Sequence, residues 1–130
     1  MLSKKHRFHG YNKLTTVYRK GQTSRSYLMS LKYLKNPRQS TYRLAVVVSR
    51  KVHKSAVVRN RIRRRIFELY RQSAPQFVED YDMIVTVFSE QIADMPADKL
   101  RDMVIKQLEQ AGIIPENSPR MAEKTPADMV

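Results

Sequence analysis

Two short apolar runs, Ala45-Val46-Val47-Val48 and Met83-Ile84-Val85-Thr86-Val87-Phe88, stand on either side of a segment with a different period. Neither run alternates apolar with polar residues, the pattern of a strand covered on both faces, so both are expected in the middle of a sheet. Between them Val58, Ile62, Ile66 and Leu69 recur at three- and four-residue spacing. At about 100° per residue they fall within an arc of about 80°, the buried stripe of a helix. Ser55 is placed to cap that helix, which is expected to run to about Gln72, and Pro75 forbids its continuation.

The flanking segments follow the same logic. Tyr11 to Lys20 carries apolar residues at helical spacing, with Gly21 where a left-handed cap would end a first helix. Arg25 to Tyr33 and Thr41 to Ser49 are rich in Tyr, Leu and Val and read as two strands joined across Lys35–Ser40. Pro96 to Ala111 reads as a third helix closed by Gly112. The expected order is α-β-β-α-β-α, a small central β-sheet packed with helices, in one domain over residues 1–112. Residues 113–130 include Pro115, Pro119 and Pro126 and little apolar periodicity, and are expected to form a disordered tail.

The middle helix is unusual in its charge. Arg59-Asn60-Arg61-Ile62-Arg63-Arg64-Arg65 places five arginines in seven residues. Helical angles put Arg59, Asn60, Arg63, Arg64 and Arg71 across from the apolar stripe, with Arg61 and Arg65 at its edge. Like charges three and four residues apart cost a few tenths of a kcal/mol per pair, so such crowding calls for an anionic partner. The guanidinium fork pairs bidentately with phosphate oxygens, which points to nucleic acid. Phe67 falls near the middle of the polar side, either as a ring for stacking on a base or as an incidental exposed aromatic.

The charge distribution agrees. The net charge is +13 and the sequence pI about 10.3. Residues 1–71 carry twenty Lys or Arg and one acid, Glu68, whereas residues 72–130 carry five basic and eleven acidic residues. A face serving solubility would mix signs; the first half is built to meet a polyanion.

Enzymatic alternatives find little support. The chain has no cysteine, which removes disulfides and thiolate metal sites and suits a reducing cytosol. No apolar run approaches the roughly 18 residues of a membrane span. The basic start, Met1 to Arg7, is not followed by the apolar stretch of a signal peptide, and although an acid-free start also suits an organellar transit peptide, a cytoplasmic location is expected. His6, His9 and His53 lie in the basic half, while the carboxylates begin at Glu68. Asp80 and Asp82 are expected as a solvated turn rather than a catalytic pair, and no phosphate loop, zinc spacing or nucleophile elbow occurs. Neither a catalytic residue nor a metal ligand is expected in this polypeptide.

Arg43-Leu44-Ala45-Val46-Val47-Val48-Ser49-Arg50-Lys51, followed by Ala56-Val57-Val58-Arg59-Asn60-Arg61-Ile62-Arg63-Arg64, resembles the strand, loop and Arg-Asn-Arg helix of the protein component of bacterial ribonuclease P. The resemblance covers residues 4–112. It implies an α/β, or α+β, two-layer sandwich with a left-handed βαβ crossover, against the right-handed default. It also implies a function: the RNA subunit, using Mg2+, cleaves the 5′ leader from precursor tRNA, and the protein holds the leader and supports the RNA fold. On this resemblance Arg50, Lys51, Arg59, Asn60, Arg61, Arg63 and Arg64 contact the RNA subunit. Leu14, Tyr18 and Tyr27, with Arg7, Arg19 and Lys20 around them, hold the leader, by stacking of bases on rings over a basic floor. The alternative for Tyr18 and Tyr27 is a pair of core rings with wet hydroxyls. The chain departs from the family pattern at Leu14, commonly Phe; at His53, usually Gly; and at Phe67, often Arg. No obligate protein partner is implied. A ribosomal-type RNA-binding module and a nuclease acting alone remain as competing classes.

Overall fold

The computed structural model describes residues 11–36 and 41–116. Helix α1 (Tyr11–Lys20) precedes strands β1 (Gln22–Arg25), β2 (Met29–Lys35) and β3 (Arg43–Val47); helix α2 (Ala56–Ser73), strand β4 (Tyr81–Val87) and helix α3 (Ala97–Ala111) follow. The sheet runs β1-β2-β4-β3. The first two junctions are antiparallel, while β3 and β4 are parallel neighbours joined through α2. The architecture is α+β, with α2 and α3 on one face of a four-stranded mixed sheet and α1 across the other.

Two strand expectations need correction. The segment expected as one strand from Arg25 is a hairpin, β1 and β2, folded back at Ser26. The Ser26 hydroxyl donates to the Met29 carbonyl at 3.1 Å and accepts from the Met29 N–H at 3.3 Å, closing the turn by side-chain chemistry that a Tyr- and Leu-rich composition conceals. Strand β3, expected in the sheet centre, is an edge strand. Its apolar run arises because the two faces meet different layers: Leu44 and Val46 enter the main core with α2 and α3, while Ala45 and Val47 pack beneath α1. Strand β4 is central, as its unbroken apolar run requires.

Both helix-ending glycines are needed, for different reasons. Gly112 adopts φ 79°. Its N–H donates to the Glu109 carbonyl, and that of Ile113 to the Leu108 carbonyl, each at 3.0 Å, a Schellman closure whose apolar partners Leu108 and Ile113 are both buried. Gly21 is not left-handed, contrary to expectation. A Cβ there would stand 2.5 Å from the Val17 carbonyl oxygen and 2.9 Å from that of Tyr33, so close backbone approach demands the glycine. Beyond α3, Ile113 and Ile114 are core residues, and the Ile113 carbonyl accepts from the Val78 N–H at 2.9 Å. The packed unit thus extends past the expected boundary at residue 112, because the Schellman turn folds the chain back; residues 117–130 lie outside the described part.

Helix α2 buries more than one stripe. Phe67, expected on the polar side, is a core residue together with Ile62, Ile66 and Tyr70. The helix packs on β3 and also on α3 and the 3-10 turn Glu90–Ala93. An arc of about 80° serves a helix lying on one surface, whereas one wedged between several buries more. Asp82, expected in a solvated turn, is likewise buried. Its carboxylate accepts from Arg43 Nε at 2.8 Å and Nη2 at 2.7 Å and from Asn36 Nδ2 at 2.6 Å, tying β4 to β3. That bidentate engagement suits a structural ion pair rather than a metal ligand or a base.

Candidate nucleic-acid interface

Ser55 sets the start of α2, accepting the Val58 N–H on its hydroxyl at 3.4 Å. The Ser55 N–H in turn donates to His53 Nδ1 at 3.0 Å, and Arg59 Nη1 donates at 3.0 Å to both the His53 and Lys54 carbonyls. The crossover loop is therefore fixed from within the helix. Arg50 and Lys51, at its beginning, stand exposed beside the end of β3.

The five clustered arginines divide between fold and surface. Arg59 holds the loop. Arg63 donates from Nη1 to Asn60 Oδ1 at 2.6 Å and from Nη2 to the Val48 carbonyl at 3.3 Å, bracing α2 against the end of β3. Arg65, on the other flank of the buried arc, donates at 2.6 Å to the Ile92 and Met95 carbonyls, closing the turn before α3. These three are half-buried, whereas Asn60, Arg61 and Arg64 are exposed. Arg59 and Arg63 thus lie nearer the apolar stripe than the angular expectation put them, because the buried arc is wide.

Arg61 reaches Asp94 at 3.5 Å across open solvent, a pairing too exposed to fix its position. Arg64 has no hydrogen-bond or ion-pair partner among the described residues. It borders a groove of about 380 Å³ between α2 and α3, with Arg101 on the facing helix. Arg71 is neutralised by Glu68, whose carboxyl is held below its ordinary range chiefly by the Arg71 hydrogen bond. Arg50, Lys51 and Lys54 of the crossover loop and Arg61 and Arg64 of α2 are exposed cations.

The other face of the sheet carries α1. Leu14 and Val17 pack over Ile84, Leu34, Ala45 and Val47. Tyr18 is 43% and Tyr27 75% exposed, so neither is a core ring. The Tyr18 carbonyl accepts Lys32 Nζ at 3.0 Å, and Arg19 and Lys20 are exposed at the same helix end. Tyr27 sits apart, at the β1–β2 turn, where it lines a groove with Asp102, Met103 and Lys106 of α3 rather than with α1. Arg7 lies outside the described residues.

Register places Arg25, Ser30, Thr86 and Val47 in one row across the α1 face, and Thr23, Lys32, Ile84 and Ala45 in the next. Continuing β4, Phe88 projects to this same face and is 45% exposed, with the Arg25 guanidinium 5.8 Å from its ring centroid. Sequence reading did not place Phe88, Arg25 and Lys32 on this face. The period-2 set Asp82, Ile84, Thr86, Phe88 was the available signal, hidden by treating the run as uniformly apolar.

Among the described residues no three His, Cys, Asp or Glu side chains gather as a metal site, and no helix is long and apolar enough to cross a membrane.

Comparison with known proteins is consistent throughout. The Ribonuclease P family model matches residues 2–112. The ribonuclease P protein component of Dictyoglomus thermophilum is 47% identical over 75 residues, covering 57% of this chain and 62% of that one. The corresponding protein of Chloroflexus aurantiacus is 40% identical over 78 residues, 60% of this chain and 57% of that one. The aligned part thus spans about three-fifths of these relatives. Among solved structures, the Staphylococcus aureus RNase P protein superposes with a TM-score of 0.74 at 23% identity, covering 84% of this chain and 97% of that one. The Thermotoga maritima protein gives 0.71 at 20%, covering 80% and 96%; at these identities the likeness establishes the fold. With the family model spanning most of its length, the chain belongs to the family of bacterial ribonuclease P protein components.

Proposed function

We propose that this chain is the protein subunit of a ribonucleoprotein that removes the 5′ leader from precursor tRNA. It docks on the RNA subunit through the α2 side and holds the leader on the α1 face. The observation that carries this reading is the division of the arginine cluster: Arg59, Arg63 and Arg65 are spent on backbone carbonyls, which braces α2 and its crossover loop, while Arg64, Arg61, Arg50 and Lys51 stay exposed. Cations carried on a braced helix and loop meet a folded RNA without the cost of ordering the backbone beneath them. Arg59, Asn60 and Arg63 join the same docking face, since each guanidinium keeps further N–H donors.

On the α1 face, Leu14 and Tyr18 edge the floor of half-buried sheet residues, with Arg19 and Lys20 supplying charge; Arg7, assigned to the leader by the family resemblance, lies outside the described residues. Tyr27 would contact the leader where it passes the hairpin turn. Magnesium enters this reading through the RNA, where it supplies the hydrolytic chemistry; the protein binds, orients and neutralises charge. Its contribution is broader substrate recognition and support of the active RNA fold, in the cytoplasm.

Reconstitution with the ribonuclease P RNA of the same organism tests the proposal. Cleavage of precursor tRNA at low magnesium should rise when the protein is added. No gain, or binding to ribosomal RNA in preference to that RNA, would overturn it.

A further inference from the structure

Gln107 of α3 is 2% exposed, yet only half of its side-chain amide is satisfied. Its Nε2 donates to the Ser24 carbonyl of β1 at 2.8 Å and to the Met29 carbonyl of β2 at 3.3 Å, tying α3 to both strands of the hairpin. Reversing the amide would set its oxygen against those two carbonyl oxygens, so the orientation is fixed. The Oε1 atom is then turned away from the strands, buried and without a hydrogen-bond partner among the described residues. A buried acceptor left unmatched is costly, and it calls for a donor. Gln107 also lines a groove of about 410 Å³ between the β1–β2 turn and α3, on the α3 side of the sheet. The same groove has the Tyr27 ring and the Met103 thioether as apolar walls, the Asp102 carboxylate as a second acceptor, and Arg25 and Lys106 as cations. Methionine is unbranched and adapts its shape to what packs against it.

Two acceptors beside an apolar slot take a planar group with adjacent N–H donors, and the two cations take an anion. A guanidinium would satisfy the acceptors but would meet Arg25 and Lys106; a guanine nucleotide satisfies both requirements. Its N1–H and 2-amino group are neighbouring donors, its ring stacks on an aromatic, and its phosphate pairs with lysine or arginine. We propose that this groove binds a guanine nucleotide. The base edge donates to Gln107 Oε1 and Asp102, the ring lies against Tyr27 and Met103, and the phosphate faces Lys106 and Arg25. Stacking alone accepts any base, whereas these edge contacts select guanine. The nucleotide is either free in solution or an unpaired guanosine of an RNA, recognised by the same chemistry. The groove lies outside the residues assigned to RNA-subunit docking and shares only Tyr27 with those assigned to the leader, so it rests on neither reading.

The test is titration of the isotope-labelled full chain with GMP, IMP and UMP, following the Gln107 side-chain amide by NMR. GMP should shift that amide, and IMP, which lacks the 2-amino group, should bind about fivefold more weakly or worse, the loss of one hydrogen bond. UMP should bind more weakly than GMP as well. Asp102→Ala should narrow the advantage of GMP over IMP, and Lys106→Gln that of GMP over guanosine. Adding the ribonuclease P RNA, and then precursor tRNA, separates the sources: GMP binding lost on either addition assigns the groove to a guanosine of that RNA, and binding retained through both assigns it to free nucleotide. If GMP and IMP bind alike in the wild type, or neither moves the Gln107 amide, the groove is not a guanine site and the oxygen is met by water alone.

Discussion

Asn60 accepts the Arg63 guanidinium on its side-chain oxygen at 2.6 Å, one turn along α2, while the same guanidinium reaches the Val48 carbonyl at the end of β3. The asparagine of the Arg-Asn-Arg motif therefore orients an arginine outside the motif. Asn60→Ala should release Arg63 from this geometry and weaken RNA-subunit binding about fivefold, the equivalent of one hydrogen bond worth about 1 kcal/mol. Titration of labelled RNA measures this, and unchanged affinity would make the pair incidental.

Leader recognition predicts a difference between substrates. Tyr18→Ala should weaken precursor tRNA by roughly 1–3 kcal/mol if a base stacks on the ring, and leave mature tRNA almost unaffected. Equal losses on both would assign Tyr18 to packing.

Asp82 separates a structural carboxylate from a catalytic one. Asp82→Ala leaves Arg43 buried without its counter-charge, and should lower unfolding stability by about 3–5 kcal/mol in chemical denaturation. A nuclease acting alone through Asp82 would instead lose cleavage by the RNA-free protein while keeping its stability.

Tyr70 carries a fully buried hydroxyl with no hydrogen-bond partner among the described residues, and burial pushes its ionisation far above the ordinary tyrosine range. Tyr70→Phe should be neutral or should raise stability by about 1–3 kcal/mol, by removing an unsatisfied group without changing shape. The pH dependence follows from the sign of the shift. Below pH about 10 the phenol is neutral in both states; above it the unfolded chain loses a proton that the folded chain keeps, so stability falls as pH rises. Tyr70→Phe should remove about 1.4 kcal/mol per pH unit from that alkaline loss, and an identical alkaline slope in both proteins would mean the hydroxyl is not isolated.

What the sequence disclosed and what it hid follow a physical line. The limits of α2 and α3 were legible because caps and periodicity are local: Ser55, Pro75 and Gly112 act within a few residues. The edge position of β3 was not, since Ala45-Val46-Val47-Val48 says nothing about which strand pairs with it. Phe67 was misplaced because helical angles assume a single packing surface. Arg65 looked like an edge cation until the fold brought it to the carbonyls of Ile92 and Met95, more than 25 residues away. The residues proposed for docking came mainly from the family motif; charge alone would not have separated Arg64 from Arg65.

If neighbouring arginines on α2 serve RNA docking and folding respectively, Arg64 and Arg65 should respond differently to removal. The measurement is the salt dependence of binding to the ribonuclease P RNA for the wild type, Arg64→Ala and Arg65→Ala, with thermal midpoints taken in parallel. Arg64→Ala should reduce the log–log slope by about 0.7–0.9 per lost phosphate contact without lowering the midpoint. Arg65→Ala should keep the slope and lower the midpoint, having lost charge-assisted bonds worth about 1.5–3 kcal/mol each. An unchanged slope in Arg64→Ala, or a reduced slope with no loss of stability in Arg65→Ala, would contradict it.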